Sequence, residues 1–215
     1  MHAQHLPAFE YRRMRWKNNL GWTREIHRAT VDASALQEPA LPGADFPTSD
    51  DNYDWRVSIA EIDHDCPFSA FPGHDRVLVL LEGNGMRLEF SDGRRVELEP
   101  PHQRIAFRGE ETLNCILTDG PTRDFNLIWK RDRVHAQLML RPLVGPMLFF
   151  AEPGVQWLVY LIGGRARLKD RPDVAPLDAG DSLLLDAHAS ETGRRVILDG
   201  GGQLLLARVE SIASG

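Results

Sequence analysis

Laid over itself, this chain repeats. "PGHDRVLVLLEGNGMRL", beginning at Pro72, aligns with "PGVQWLVYLIGGRARL", beginning at Pro153. The offset is 81 residues at Pro72-Gly73 and settles to 80 after a one-residue deletion. Gly83 then falls on Gly163, Arg87-Leu88 on Arg167-Leu168, and Asp119-Gly120 on Asp199-Gly200, while "VELEPP" stands opposite "APLDAG". Four turns held in one register are the mark of a duplicated unit.

The repeated unit reads as β-structure. "VLVLL" (77–81) breaks at "EGNG", "MRLEF" follows, then Asp92-Gly93, then "RRVELE". Short β-rich runs with closely spaced turn signals favour a sandwich or barrel over βαβ units. Amphipathic helices are scarce, and residues 32–50, rich in Pro, Ala, Ser and Asp, read as a loop with at most one helical turn. A Gly-x-Gly hairpin between long apolar strands, with a Leu-x-Ala-Gly-Asp turn at Leu177–Asp181, resembles the cupin barrel. The expected fold is all-β, a bicupin of two tandem cupin-type barrels or sandwiches. Residues 1–54 form an N-terminal strand or lid segment and loop packing on the first unit, 55–131 are unit one with the ligand pocket, and 132–215 are unit two, degenerate and filled. A tandem β-sandwich without a cupin pocket is the alternative.

Composition narrows the function. The 215 residues carry a net charge of −6 with acidic and basic residues well mixed, whereas a general nucleic-acid binder shows a basic stripe. No apolar run approaches the ~18 residues of a membrane span, and "MHAQHLPAFEYRR" lacks the apolar core of a signal peptide. Cys66 and Cys115 do not make a secreted disulfide framework. A cytoplasmic protein with two free thiols is expected, binding neither nucleic acid nor membrane.

Many cupins hold a metal with His-x-His, a following Glu and a later His, a ligand set suited to divalent transition metals. Counting back seven places from Gly83 puts Arg76 at the Glu position, and Ser69 and Phe71 at the two His positions; in the second unit the Glu position is Trp157 or Gln156. His64 and Cys66 in "DHDC", with His74 nearby, read as a polar loop, and His102 and His188 stand alone in turns. No metal and no cofactor are expected. The polar groups that survive in unit one are Phe71's neighbours His74 and Arg76, with Asp124 and Asn126. Their counterparts in unit two include Val155, Trp157, Leu204 and Leu206, so unit one is expected to keep the pocket. Asp124 and Asn126 share one strand face and Phe125, Leu127 and Trp129 the other; the polar face points either into the pocket or to water. Glu61 shares a face with Val57 and Ile59, so its carboxylate needs a donor, for which Arg76 or Lys17 are the candidates.

Three stretches, "MRWKNNLGWTREI" (14–26), "WRVSIAEIDHDCPFSAFPGHDRVLVLLEG" (55–83) and "LTDGPTRDFNLIWKR" (117–131), together resemble the HutD/Ves family. By that resemblance Trp16, Lys17, Asn18, Thr23 and Glu25 match its first motif, and Ser58 and Glu61 its second. Phe68, Ser69, Phe71 and Arg76 match the third, and Asp124 and Asn126 the last. The family's Gly-Gly-Gly triplet is Asn19-Leu20-Gly21 here; Leu20 resists positive φ, whereas Asn19 tolerates the left-handed region.

The resemblance implies a metal-free bicupin that binds a small carboxylate of the formate, formyl- or formimino-glutamate, or urocanate class, and so regulates histidine utilisation. Lys17 and Arg76 would make the pocket cationic, and Asn18, Thr23, Ser69 and Asn126 would add neutral hydrogen bonds. In the alternative, Trp16 and Trp22 are core residues past which Lys17 snorkels. No catalytic residues are assigned, and a homodimer is allowed for. The rival is a metal-independent isomerase or lyase acting on a small acid, with Glu61 or His74 as base beside Arg76. Elemental analysis of the purified protein is expected to find no stoichiometric zinc, iron, nickel or manganese; one such ion per chain would contradict this.

Overall fold

The computed structural model describes residues 1–16, 19–31, 53–187 and 191–212. The expected loop at 32–50 lies outside them. The N-terminal part supplies β1 (His2–Leu6), β2 (Arg12–Arg15) and β3 (Gly21–Ala29), with one 3-10 turn at Ala8–Glu10. Unit one comprises β4 (Trp55–Ile62), β5 (Cys66–Pro67), β6 (His74–Glu82), β7 (Met86–Phe90), β8 (Arg95–Leu98), β9 (Arg104–Arg108), β10 (Leu113–Leu117) and β11 (Thr122–Lys130). Unit two comprises β12 (Val134–Val144), β13 (Met147–Phe150), β14 (Val155–Leu168), β15 (Leu177–Asp178), β16 (Ser182–Asp186) and β17 (Arg195–Ser211). The chain is an all-β bicupin whose sheets face one another as sandwiches rather than closing into barrels. Among the described residues no helix is long and apolar enough to cross a membrane.

Unit one sets a six-stranded sheet, β2-β3-β4-β11-β6-β9, against the four-stranded β5-β10-β7-β8. Strand β7 shows the simplest pattern: Met86, Leu88 and Phe90 are buried while Arg87 and Glu89 point outward, the alternation a half-buried strand requires. Strands β6 and β11 are different, because both of their faces are covered. Leu78 and Leu80 join the interior cluster with Leu88, Leu98 and Leu113. Val79, Phe125 and Leu127 point the other way, into a second cluster with Leu158, Tyr160, Leu184 and Leu205 of unit two. The unbroken apolar run "VLVLL" in β6 is the consequence, since over Val77–Leu81 neither face is turned fully to solvent.

The register of the two units bears out the repeat residue by residue. Asp124 and Asn126 pair across β11–β6 with Leu80 and Leu78. Leu204 and Leu206 pair across β17–β14 with Leu161 and Val159. Where unit one breaks its strands at turns, unit two carries them through: β14 and β17 run 14 and 17 residues and serve both layers of the sandwich. Their interior is closed by Phe149, Leu161, Leu183, Leu198, Leu204 and Leu206, with Trp157 packed against them.

One expectation needs correction. Residues 1–54 were placed on unit one as a whole, but β1 pairs with β16 at the edge of unit two, Ala3 opposite Leu185. Strands β2 and β3 pair with each other and then with β4. Five residues of "HAQHL" are too few for an alternation to say which sheet they join.

The bend in β14 and β17 depends on close backbone approach. Pairing shifts between Leu161 and Gly163, and a Cβ on Gly202, at φ 146°, would lie 1.9 Å from the Gly163 carbonyl oxygen. Gly202→Ala should cost about 1–3 kcal/mol from backbone strain alone. For a chain of this size the thermal midpoint falls roughly 2–4 °C per kcal/mol. Gly201→Ala is the control, its nearest contact being 3.9 Å away. Equal midpoints for the two variants in thermal unfolding would contradict this account.

Candidate functional site

Strands β4, β11 and β6 lie side by side, and their pairing sets three rungs on the interior face of unit one. Arg56, Ile128 and Arg76 form the first, Ser58, Asn126 and Leu78 the second, and Ala60, Asp124 and Leu80 the third. A cavity of about 200 Å³ opens over the first two, below the several hundred Å³ of drug-sized sites and suited to a small metabolite.

Arg76 is its most constrained wall. The residue is 7% exposed, and its Nε donates to Asn126 Oδ1 at 2.8 Å while Nη2 donates to the same oxygen. The guanidinium lies over the rings of Phe68 and Phe107, 4.7 and 5.3 Å from their centroids. Among the described residues no carboxylate is within ion-pair distance, and three of its five N–H groups have no protein acceptor. Asn126 passes the polarity inward: its Nδ2 donates to Asp124 Oδ1 at 3.3 Å. Asp124 is fully buried behind Asn126. Burial raises its carboxyl to about 7 against the opposing pull of Arg76 and Asn126.

Two segments complete the wall. The hairpin between β2 and β3 brings Trp16 and Thr23, joined by an indole Nε1 hydrogen bond to Thr23 Oγ1 at 2.8 Å. Asn19 takes φ 60° in its loop, the left-handed conformation expected of it, and Leu20 packs on the interior cluster of unit one. Gly21 keeps the one glycine role that cannot be replaced, since a Cβ there would lie 2.5 Å from the Glu61 carbonyl oxygen. The loop between β5 and β6 brings Phe68, Ser69 and Phe71. It is pinned by Phe68 N–H to the Leu113 carbonyl and Phe71 N–H to the Gly109 carbonyl, at 3.0 and 2.7 Å.

The structure therefore gathers Trp16, Thr23, Ser58, Phe68, Ser69, Phe71, Arg76 and Asn126 around one cavity, with Asp124 behind them. Lys17 and Asn18 lie outside the described residues. Two candidates are elsewhere. Glu25 is 3.6 Å from Arg28 Nε and does not reach the cavity. Glu61 points away from it and accepts from Arg13 Nη2 at 2.6 Å and from Arg24 Nε, so neither proposed donor, Arg76 or Lys17, is needed. Burial pushes its carboxyl up, but these hydrogen bonds outweigh burial and hold it below the ordinary value. His74 is buried, its Nδ1 2.9 Å from the Pro72 carbonyl oxygen.

Arg56 was missed. It lines the cavity with its guanidinium 5.3 and 5.5 Å from the Tyr53 and Phe71 ring centroids, and its Nε is buried without an acceptor among the described residues. The signal was present: Arg56 lies two residues before Ser58 and shares its face. Cys66 and Cys115, both free, face each other across β5 and β10. Burial pushes both thiols up. Among the described residues no group of three His, Cys, Asp or Glu is arranged to share an ion.

Comparison with known proteins places these features in a family. The HutD family model matches residues 8–206. An uncharacterized 21.2 kDa protein in the hutC 3′ region of Pseudomonas putida is 38% identical over 135 residues, 63% of this chain and 62% of that protein's length. Protein Ves of Cronobacter sakazakii is 32% identical over 157 residues, 73% of this chain and 74% of its own. The structure of HutD from Pseudomonas fluorescens SBW25, solved in a formate condition, superposes with a TM-score of 0.75 at 30% identity, covering 99% of this chain and all of that one.

The Asp124 carboxyl gives a pH prediction. Its folded-state value, about 7, lies above the ordinary 3.8, so its contribution to stability is complete below about pH 4 and is lost as pH rises towards 7. Asp124→Asn should remove that loss, so that its thermal midpoint gains on the wild type steadily from pH 4 to 7. A midpoint difference constant over that range would contradict the assignment.

Proposed function

This chain belongs to the HutD family, and we propose that unit one binds a small carboxylate metabolite and thereby regulates histidine utilisation. The observation that carries the reading is the Arg76 guanidinium: nearly buried, fixed by Asn126 and two aromatic rings, and without a carboxylate partner among the described residues. A buried charge is costly unless paired and hydrogen-bonded, and a guanidinium fork held in a small cavity matches a carboxylate in geometry and charge. Ser58, Ser69 and Thr23 add hydroxyls along the same wall. The Pseudomonas putida relative lies in the hutC 3′ region and the Pseudomonas fluorescens one was solved in a formate condition; both fit a small acid of the histidine pathway, in the formate, formyl- or formimino-glutamate, or urocanate class.

The rival, a metal-independent lyase or isomerase, needs a base on the cavity wall. Glu61 faces Arg13 and Arg24 instead, His74 is off the cavity wall with its Nδ1 against the Pro72 carbonyl oxygen, and Asp124 stands behind Asn126. A binding role requires none of them as a base.

Thermal-shift titration with formate, glutamate derivatives and urocanate tests the reading. Arg76→Met should lose the ligand-induced shift, because a charge-assisted hydrogen bond contributes about 1.5–3 kcal/mol, or roughly ten- to a hundredfold in affinity. Trp157→Ala, at the equivalent place in unit two, should lower the thermal midpoint without changing ligand affinity in the folded protein. An Arg76→Met protein that gains stability from the same acids as the wild type would place the site elsewhere.

A further inference from the structure

Resting on that carboxylate-binding role, we propose that the ligand of unit one is a small linear diacid, one carboxylate on Arg76 and the other on Arg56. The two arginines occupy one rung, on strands either side of β11, with Ile128 between them. Two inter-strand spacings put their backbones roughly 10 Å apart, and both side chains line the same cavity. A monoacid such as formate engages one fork and leaves the other unpaired.

Three observations favour a second anchor. Each guanidinium is fixed over two aromatic rings, Phe68 and Phe107 for Arg76, Tyr53 and Phe71 for Arg56, so two forks are held ready rather than sweeping the solvent. Neither has a carboxylate within ion-pair distance among the described residues, whereas Arg13, Arg24, Arg131 and Arg208 each do. Among the described residues Arg56 Nε is also buried with no acceptor, a donor left for something else to satisfy.

The duplicated unit supplies the contrast. Its equivalent rung is Gln137, Arg208 and Trp157. There the single cation is neutralised by Glu152 and Glu210 at 3.0 and 2.7 Å. In unit one neither cation has a carboxylate within ion-pair distance among the described residues, and burial favours the neutral form of Asp124, the carboxyl that lies behind Asn126. Like charges at this separation in a cavity of low dielectric repel, and a ligand with a negative charge at each end pairs both guanidinia, whereas a single charge leaves one of them unpaired.

Isothermal titration at constant ionic strength and about pH 6.5, below the Asp124 value of about 7, tests this with straight-chain diacids of about three to seven carbons and the monoacid of each length. One diacid length is expected to bind about tenfold or more tightly than its monoacid, the gain of one additional fork. Arg56→Gln should erase the advantage of that diacid over its monoacid, bringing the ratio of the two affinities to about one, and Arg76→Met should lose both. Diacids that bind no more tightly than monoacids, or that improve with charge but show no preferred length, would overturn the second anchor and leave the carboxylate role standing. Failure of both classes to bind would overturn the role itself. If Arg56→Gln does not fold, as judged by its circular dichroism, the wild-type length series alone decides.

Discussion

Strand β11 is buried on both faces, and the pocket exists because of how its polar residues cope with that. On one side Phe125 and Leu127 enter the core shared with unit two. On the other, Asp124 and Asn126 face the interior of unit one with essentially no exposure. An amide and a carboxyl so placed must satisfy each other or be satisfied by a neighbour. Asn126 does both, accepting from Arg76 and donating to Asp124. Arg76 is thereby held with part of its fork unspent. The chain from carboxyl to amide to guanidinium runs from the interior of the sheet to the cavity, and each link orients the next.

The duplication shows what such a chain costs. At matching rungs unit two has Leu204 for Asp124, Leu206 for Asn126 and Trp157 for Arg76, and its interior closes on itself. Each buried leucine contributes about 1.5–3 kcal/mol of transfer free energy, whereas burying polar groups brings at best a small net return. Two copies of one architecture thus differ in their interiors, one apolar throughout and the other enclosing a polar-walled cavity. The shared core, with Tyr160 and Leu205 of unit two against Phe125 and Val79 of unit one, holds the back of the site sheet flat against a filled neighbour.

How much of this was written in the sequence depends on the range of the interaction. The repeat gave the strand equivalences to the residue, because a duplicated register preserves turn positions even when side chains diverge. Asn126 and Arg76 were legible for the same reason, as polar residues whose repeat partners are apolar. Glu61 was misplaced in the site although its parity with Val57 and Ile59 already set it on the face opposite Ser58; its donors, Arg13 and Arg24, come from strands paired through a tertiary contact that no local pattern reveals. Arg56 was overlooked although alternation with Ser58 put it on the pocket face. Strand parity was the better guide at both positions.

The path of the N-terminal chain has a consequence for the two halves as modules. Strand β1 completes the edge of unit two, and β2 and β3 then cross to extend the sheet of unit one. A cut at the boundary between the repeats would strand β1 on the wrong fragment and strip β16 of a neighbour, leaving a row of unpaired backbone groups open to other chains. The halves of this duplication are interlocked by sequence order as well as by packing. Excising either half would uncover the β16 edge or the apolar face the two units share.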